Sequence, residues 1–235
     1  MSITLHNPNE TARSPRRAIL NFTTWSPRTA SLIAGIALAL MAVLMGVGYF
    51  GALVPLITPG NAAKTAKDIS DSRPLFLSGV ATLFLVTILD IVVAGAWYTL
   101  FRTVNRGVSA AAAWIRVVFA AVFMVAIGQL VNAFTLLAEP DQALRAIENF
   151  TTIWVTGLGL FGIYLLLIGY LAYRSGFMAR IFGILLAIAG LGYLADAFGV
   201  MFIADFRAVF GQFLFLGEVA VIFWLFIRGR RLPTH

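Results

Sequence analysis

Apolar residues run along the chain in six long blocks, 29–57, 75–101, 108–137, 151–173, 181–203 and 208–227, separated by short polar or charged stretches. Each block reaches the length of about 20 residues that a helix needs to cross a bilayer. The pattern is plainest at GYLAYRSGFMARIFGILLAIAGLGYLADAFG, where one apolar run closes on Arg174, turns through Ser175 and Gly176, passes Arg180 and becomes the next run. Two spans joined by a short basic turn read this way. The expected fold is all-α: a polytopic membrane protein with six transmembrane helices in one bundle over 29–228.

The connections carry weaker patterns. Residues 1–28, with Arg13, Arg16, Arg17, Arg28 and three prolines, lack an apolar period and read as a mobile basic tail; 229–235 form a second tail. The first apolar block is longer than the roughly 7 to 15 residues of a signal-peptide core, so it reads as a retained anchor, with cleavage near Ala62 or Ala63 as the lesser alternative. NAAKTAKDISDSR predicts a short helix capped by Asn61, with Ala62, Ala66 and Ile69 facing the bilayer. In EPDQALRAIENF, Pro140 suits a first helical position, and Ala143, Leu144, Ile147 and Phe150 share one face. That predicts a separate interfacial helix over about 140–150, lying flat before the fourth span.

Charge gives the orientation. With the N-terminus inside, cytoplasmic ends collect Arg13, Arg16, Arg17, Arg28, Arg102, Arg106, Arg174, Arg180, Arg228, Arg230 and Arg231. The outer side keeps Lys64, Lys67, Arg73, Arg145 and Arg207, a bias in the direction the positive-inside rule requires. Trp97, Tyr98, Trp114, Tyr170, Tyr173 and Trp224 fall near the inner interface and Trp154 near the outer one, as aromatic belts do. Both termini are therefore expected in the cytoplasm.

Composition narrows the chemistry. The chain is 60% hydrophobic and 11% charged, where a soluble domain has about 25% charged residues. Its net charge of +7 could suggest nucleic acid. The basic residues sit at the ends of apolar runs, without a patch or stripe, so no nucleic-acid partner is expected. There is no cysteine, and His6 and His235 lie in the tails. That excludes thiolate chemistry, cysteine metal sites and a haem held by intramembrane imidazoles of this chain. No cofactor is expected.

One stretch is familiar. GYLAYRSGFMARIFGILLAIAGLGYLADAF, together with NAAKTAKDI, LDIVVAGAWYTLFRTVNR, AWIRVV and GEVAVIFWLFIRG, resembles the domain-of-unknown-function 4386 family of bacterial multi-pass membrane proteins over about 34–229. The resemblance implies a six-helix protein of the cell membrane, the inner membrane of a bacterium, and no assigned activity. Ala179 stands where the family usually carries proline, which implies a less rigid inner turn here.

Four ionisable residues lie within apolar runs: Asp90, Arg116, Asp196 and Glu218. Each costs about 2.5 to 3.5 kcal/mol at a span's centre on insertion scales, so each asks for a partner. At 1.5 Å per residue, Asp90 sits roughly 18 Å from the inner charged ring, and Arg116 and Glu218 each about 15 Å. Asp90, Arg116 and Glu218 therefore form the expected buried charge cluster, with Asp90 paired to Arg116. Asp196 lies higher, at roughly 24 Å. With Tyr193, Gln129 and Gln212 it makes a secondary polar site, on a stripe of Ala189, Gly192 and Gly199 that admits a neighbouring backbone.

Two readings of the cluster stay open. It is a structural staple, or it binds a proton, cation or basic ligand, since two carboxylates beside one arginine leave an excess negative charge. The leading expectation is a membrane protein that binds or transports a small solute or proton through this cluster; the alternative is a non-catalytic accessory or sensing protein acting with an unidentified partner. An intramembrane enzyme ranks third, because no serine-base, zinc or thiol signature is present.

Overall fold

A computed structural model describes residues 25–204, 206, 208, 209 and 216–227, and for 216–218 the description is of the backbone alone. Seven α-helices are present among them: α1 Pro27–Leu44, α2 Ala62–Asp71, α3 Arg73–Phe101, α4 Arg106–Thr135, α5 Pro140–Arg174, α6 Arg180–Phe202 and α7 Leu216–Ile227. No strand occurs among the described residues. Five helical stretches are long and apolar enough to cross a membrane: Pro27–Leu56, α3, α4, α5 and α6. Residues 1–24 of the tail expected over 1–28 and the whole of the tail expected over 229–235 lie outside the described residues, as does part of the expected sixth span.

Local chemistry sets the helix starts. Ser26 caps α1 by accepting a hydrogen bond from the Thr29 N–H at 3.2 Å, with Pro27 in the first turn, so the helix begins inside the stretch read as tail. Asn61 caps α2 from the Lys64 N–H at 3.0 Å, and Asn105 caps α4 from the Val108 N–H at 3.1 Å. Beyond Leu44 the first span loosens into a π-helix, Met45–Leu53, and ends in a 3-10 turn, Val54–Leu56.

Consecutive long helices pack as neighbours in the order α1, α3, α4, α5, α6, α7, and α7 also packs on α1, which closes a ring. The α5–α6 contact is closest, because glycines face each other along it. A Cβ on Gly162 would stand 2.6 Å from the Gly190 carbonyl oxygen, and one on Gly169 would stand 2.8 Å from that of Gly183. Between helices immersed in hydrocarbon, such close backbone approach supplies the attraction that apolar burial supplies in water. The turn between these two helices uses Gly176 at φ +72°, a conformation that costs an L side chain strain. The outside of the ring is apolar: Ile36, Val47, Phe84, Ile88, Val125, Ile181 and Leu191 are all exposed.

Two connections differ from expectation. The interfacial helix expected over 140–150 is not separate; Pro140–Arg174 is one helix of 35 residues. Nothing between Asn149 and Thr152 breaks it, and the hydroxyls of Thr151 and Thr152 donate to the carbonyls of Ile147 and Glu148 within it. Its apolar face, Ala143, Leu144, Ile147 and Phe150, is buried in the protein, and α2 packs against this helix. Ala66 and Ile69, expected to face the bilayer, are likewise buried. The two amphipathic segments cover protein surfaces, which removes the need for lipid on either apolar face. On the polar face of α2, Lys67 bonds Asp71 at 2.6 Å, and that hydrogen bond, with the charge behind it, raises the ammonium above its ordinary pKa.

Candidate functional site

Asp90 projects from α3 and Arg116 from α4, and each is 2% exposed. Arg116 Nη2 lies 2.6 Å from Asp90 Oδ1, a contact of ion-pair length between two buried groups. At that separation, away from water, the attraction between opposite charges is the dominant contact. Two rings of α5 complete the setting. The guanidinium carbon stands 4.8 Å from the Tyr164 ring centre and 5.3 Å from that of Phe161. A buried guanidinium is attracted to such faces by about 2 kcal/mol.

The rings extend the contact around the bundle. Phe161 meets Tyr193 of α6 edge-on at 5.6 Å and Phe119 of α4 at 5.1 Å. The space left beside Arg116 is about 20 Å³, and every long helix lines it: Leu38, Trp97, Arg116, Tyr164, Leu186 and Val221 come from α1, α3, α4, α5, α6 and α7 in turn. It lies where the six helices face one another, and its volume suits one water molecule, not a solute. The Trp97 indole N–H is buried here, and no hydrogen-bond partner for it stands among the described residues. Trp97 also stacks on Phe101 at 5.2 Å, which thickens the packed layer on that side.

Of the expected cluster, the structure brings Asp90 and Arg116 together; the Glu218 side chain lies outside the described residues. Position 218 falls on α7 three residues before Val221. Asp196 is 2% exposed, and its Oδ1 accepts a hydrogen bond from the Val209 backbone N–H at 2.9 Å. Gly199, one turn further along α6, lets Phe206 pack so closely that a Cβ would stand 2.3 Å from its ring. The chain beyond α6 is thus folded back on that helix. Tyr193 is buried against Phe161, Gln129 is half-buried on α4, and Gln212 lies outside the described residues.

The sequence reading missed the ring cradle around Arg116, although it carried a signal. Tyr164 is ten residues from Arg174, roughly 15 Å, which is the depth estimated for Arg116, and Phe161 is one turn away. The π-helical segment was also missed, and its mark is three glycines, Gly46, Gly48 and Gly51, within six residues. Among the described residues no group of three His, Cys, Asp or Glu is placed to hold a metal ion.

These features define a helical bundle built from segments apolar enough to span a membrane, closed at its centre by an ion pair and aromatic rings. The model of the family described as Domain of unknown function (DUF4386) matches residues 33–229, and the chain belongs to that family. An uncharacterized protein of Archaeoglobus fulgidus is 34% identical over 153 residues, which cover 65% of this chain and 85% of the relative. No solved structure matches.

Proposed function

We propose that this chain is a non-catalytic accessory or sensing protein of the cell membrane, crossing it six times with both termini in the cytoplasm. In this reading the Asp90–Arg116 pair is a lock between helices and not a transport site. One observation carries it: where all six helices meet, the space beside Arg116 is about 20 Å³, and the guanidinium is held between a carboxylate and two rings. A solute passing along that line would have to displace all of these groups together. The distribution of arginines supports the orientation, and the apolar outer surface supports the bilayer setting.

Proteoliposomes loaded with a pH-sensitive dye test the reading. Under it, the purified protein adds no proton leak when a pH step or a potential is applied. A protein-dependent flux that vanishes in Glu218→Gln would overturn it in favour of a carrier. The carrier remains the second reading because position 218 lies one turn from Val221, which lines the space beside Arg116. A carboxylate at that position would add the negative charge that a proton or cation site needs.

A further inference from the structure

The first span changes geometry at Met45–Leu53, where it becomes a π-helix. Such segments persist where the surroundings fix them, and they recur at functional sites. Here α3 fixes it from one side: a Cβ on Gly48 would stand 1.7 Å from Thr82 Oγ1, and one on Gly79 would stand 2.6 Å from Leu53 Cγ. On its other side Tyr49 packs edge-on against Trp154 at 4.9 Å and tilted against Phe150 at 6.2 Å. The widened turn is held at both flanks and leaves a gap beneath it.

That gap is a cavity of about 220 Å³ between the end of the first span, α4 and α5. Leu53, Val54, Ile57, Leu130, Ile147 and Phe150 form its apolar walls. The Thr151 hydroxyl at its edge already donates to the Ile147 carbonyl. An apolar cavity of about 150 Å³ stays dry and takes an apolar guest, so walls like these select hydrocarbon over water. Val54 is 41% exposed and its neighbour Phe50 63%, so the cavity opens towards the apolar outer surface of the bundle. A helix, about 10 Å across, is too wide to enter.

We infer that this cavity binds one acyl chain of a bilayer phospholipid, with the glycerol end at Pro59 and the methyl end towards Leu53. The dimensions are on the scale of one leaflet: Pro59 and Tyr49 are ten residues apart, roughly 15 Å at helical rise and somewhat more through the 3-10 turn and extended Ile57, against half of a hydrocarbon core of about 30 Å. Pro59 begins the turn through Gly60 to the polar helix α2, which is where a head group would sit. This site goes beyond the function proposed above and is independent of the role of the ion pair. It needs only that the helices lie in a bilayer.

Native mass spectrometry of the protein in dodecyl maltoside, titrated with palmitoyl-oleoyl-phosphatidylcholine, tests it. Wild type and Val47→Trp, whose changed side chain faces outward, each retain one phospholipid per chain. Val54→Trp fills the mouth and retains it about tenfold more weakly. Equal retention by all three proteins, no retention by wild type, or occupancy by detergent in the presence of excess lipid would each overturn the inference. A second readout needs no substitution in the cavity wall. Phosphatidylcholine dibrominated at mid-chain quenches the part of the fluorescence that Trp154→Phe removes, and the absence of that quenching would likewise overturn the site.

Discussion

Replacing Arg116 by glutamine leaves Asp90, which is 2% exposed, without its counter-charge in the middle of the bundle. At 2.6 Å and an effective dielectric constant of 20 the pair attracts by about 6 kcal/mol, most of which offsets the cost of dehydrating both ions. Breaking such a pair from one side costs about 3 to 5 kcal/mol, because the remaining charge keeps its dehydration cost and loses its compensation. Asp90→Asn falls at the lower end of that range, since the faces of Tyr164 and Phe161 still hold the guanidinium. The double variant Asp90→Asn, Arg116→Gln leaves no buried charge at this position and costs less than the sum of the two, with a coupling of about 2 kcal/mol or more. Tryptophan fluorescence during heating in detergent reads this out, and the absence of cysteine rules out thiol dyes. For a chain of this size each kcal/mol moves the midpoint by about 2 to 4 °C, so either single variant melts about 10 °C early. Additive losses in the double variant would refute the ion pair as the lock.

Tyr164→Leu melts earlier than Tyr164→Phe by a margin worth about 1 to 2 kcal/mol, because phenylalanine keeps a ring face under Arg116. Gly190→Leu disrupts the α5–α6 contact, since even a Cβ there would stand 2.7 Å from the Gly162 carbonyl oxygen; detergent-solubilised yield and melting temperature both fall. Ala179→Pro stabilises the inner turn by about 0.4 to 1 kcal/mol, because Ala179 already has φ −63°, the value proline imposes, and it raises the midpoint by a few degrees. Asp196→Ala loosens the chain beyond α6, where the Val209 N–H loses its acceptor, and limited proteolysis cuts near there faster than in wild type.

The long apolar helices were legible because bilayer thickness implies a length that composition alone reveals, and the observed helix ends fall within two residues of the first, second, third and fifth expected blocks. Depth counting was informative for the same reason. It put Asp90 and Arg116 at compatible levels, and these two side chains meet. What escaped it was whatever depends on which helix stands beside which. The apolar face of 140–150 could be satisfied by lipid or by protein, and the sequence pattern is identical in both cases; only the placement of α2 decides between them. Ala66 and Ile69 were misplaced for that reason too. The π-helix escaped because glycine clusters in a span read equally as packing surface, and close approach to Thr82 is a property of the pair, not of either segment.

The unbroken helix from Pro140 to Arg174 has a mechanical meaning. At 1.5 Å per residue its 35 residues measure about 52 Å, against a hydrocarbon core of about 30 Å, so a rigid post stands well clear of the oil. Tyr164 and Phe161 ride on that same post. The end that α2 packs against and the rings around Arg116 therefore belong to one unbroken rod, with no hinge between them.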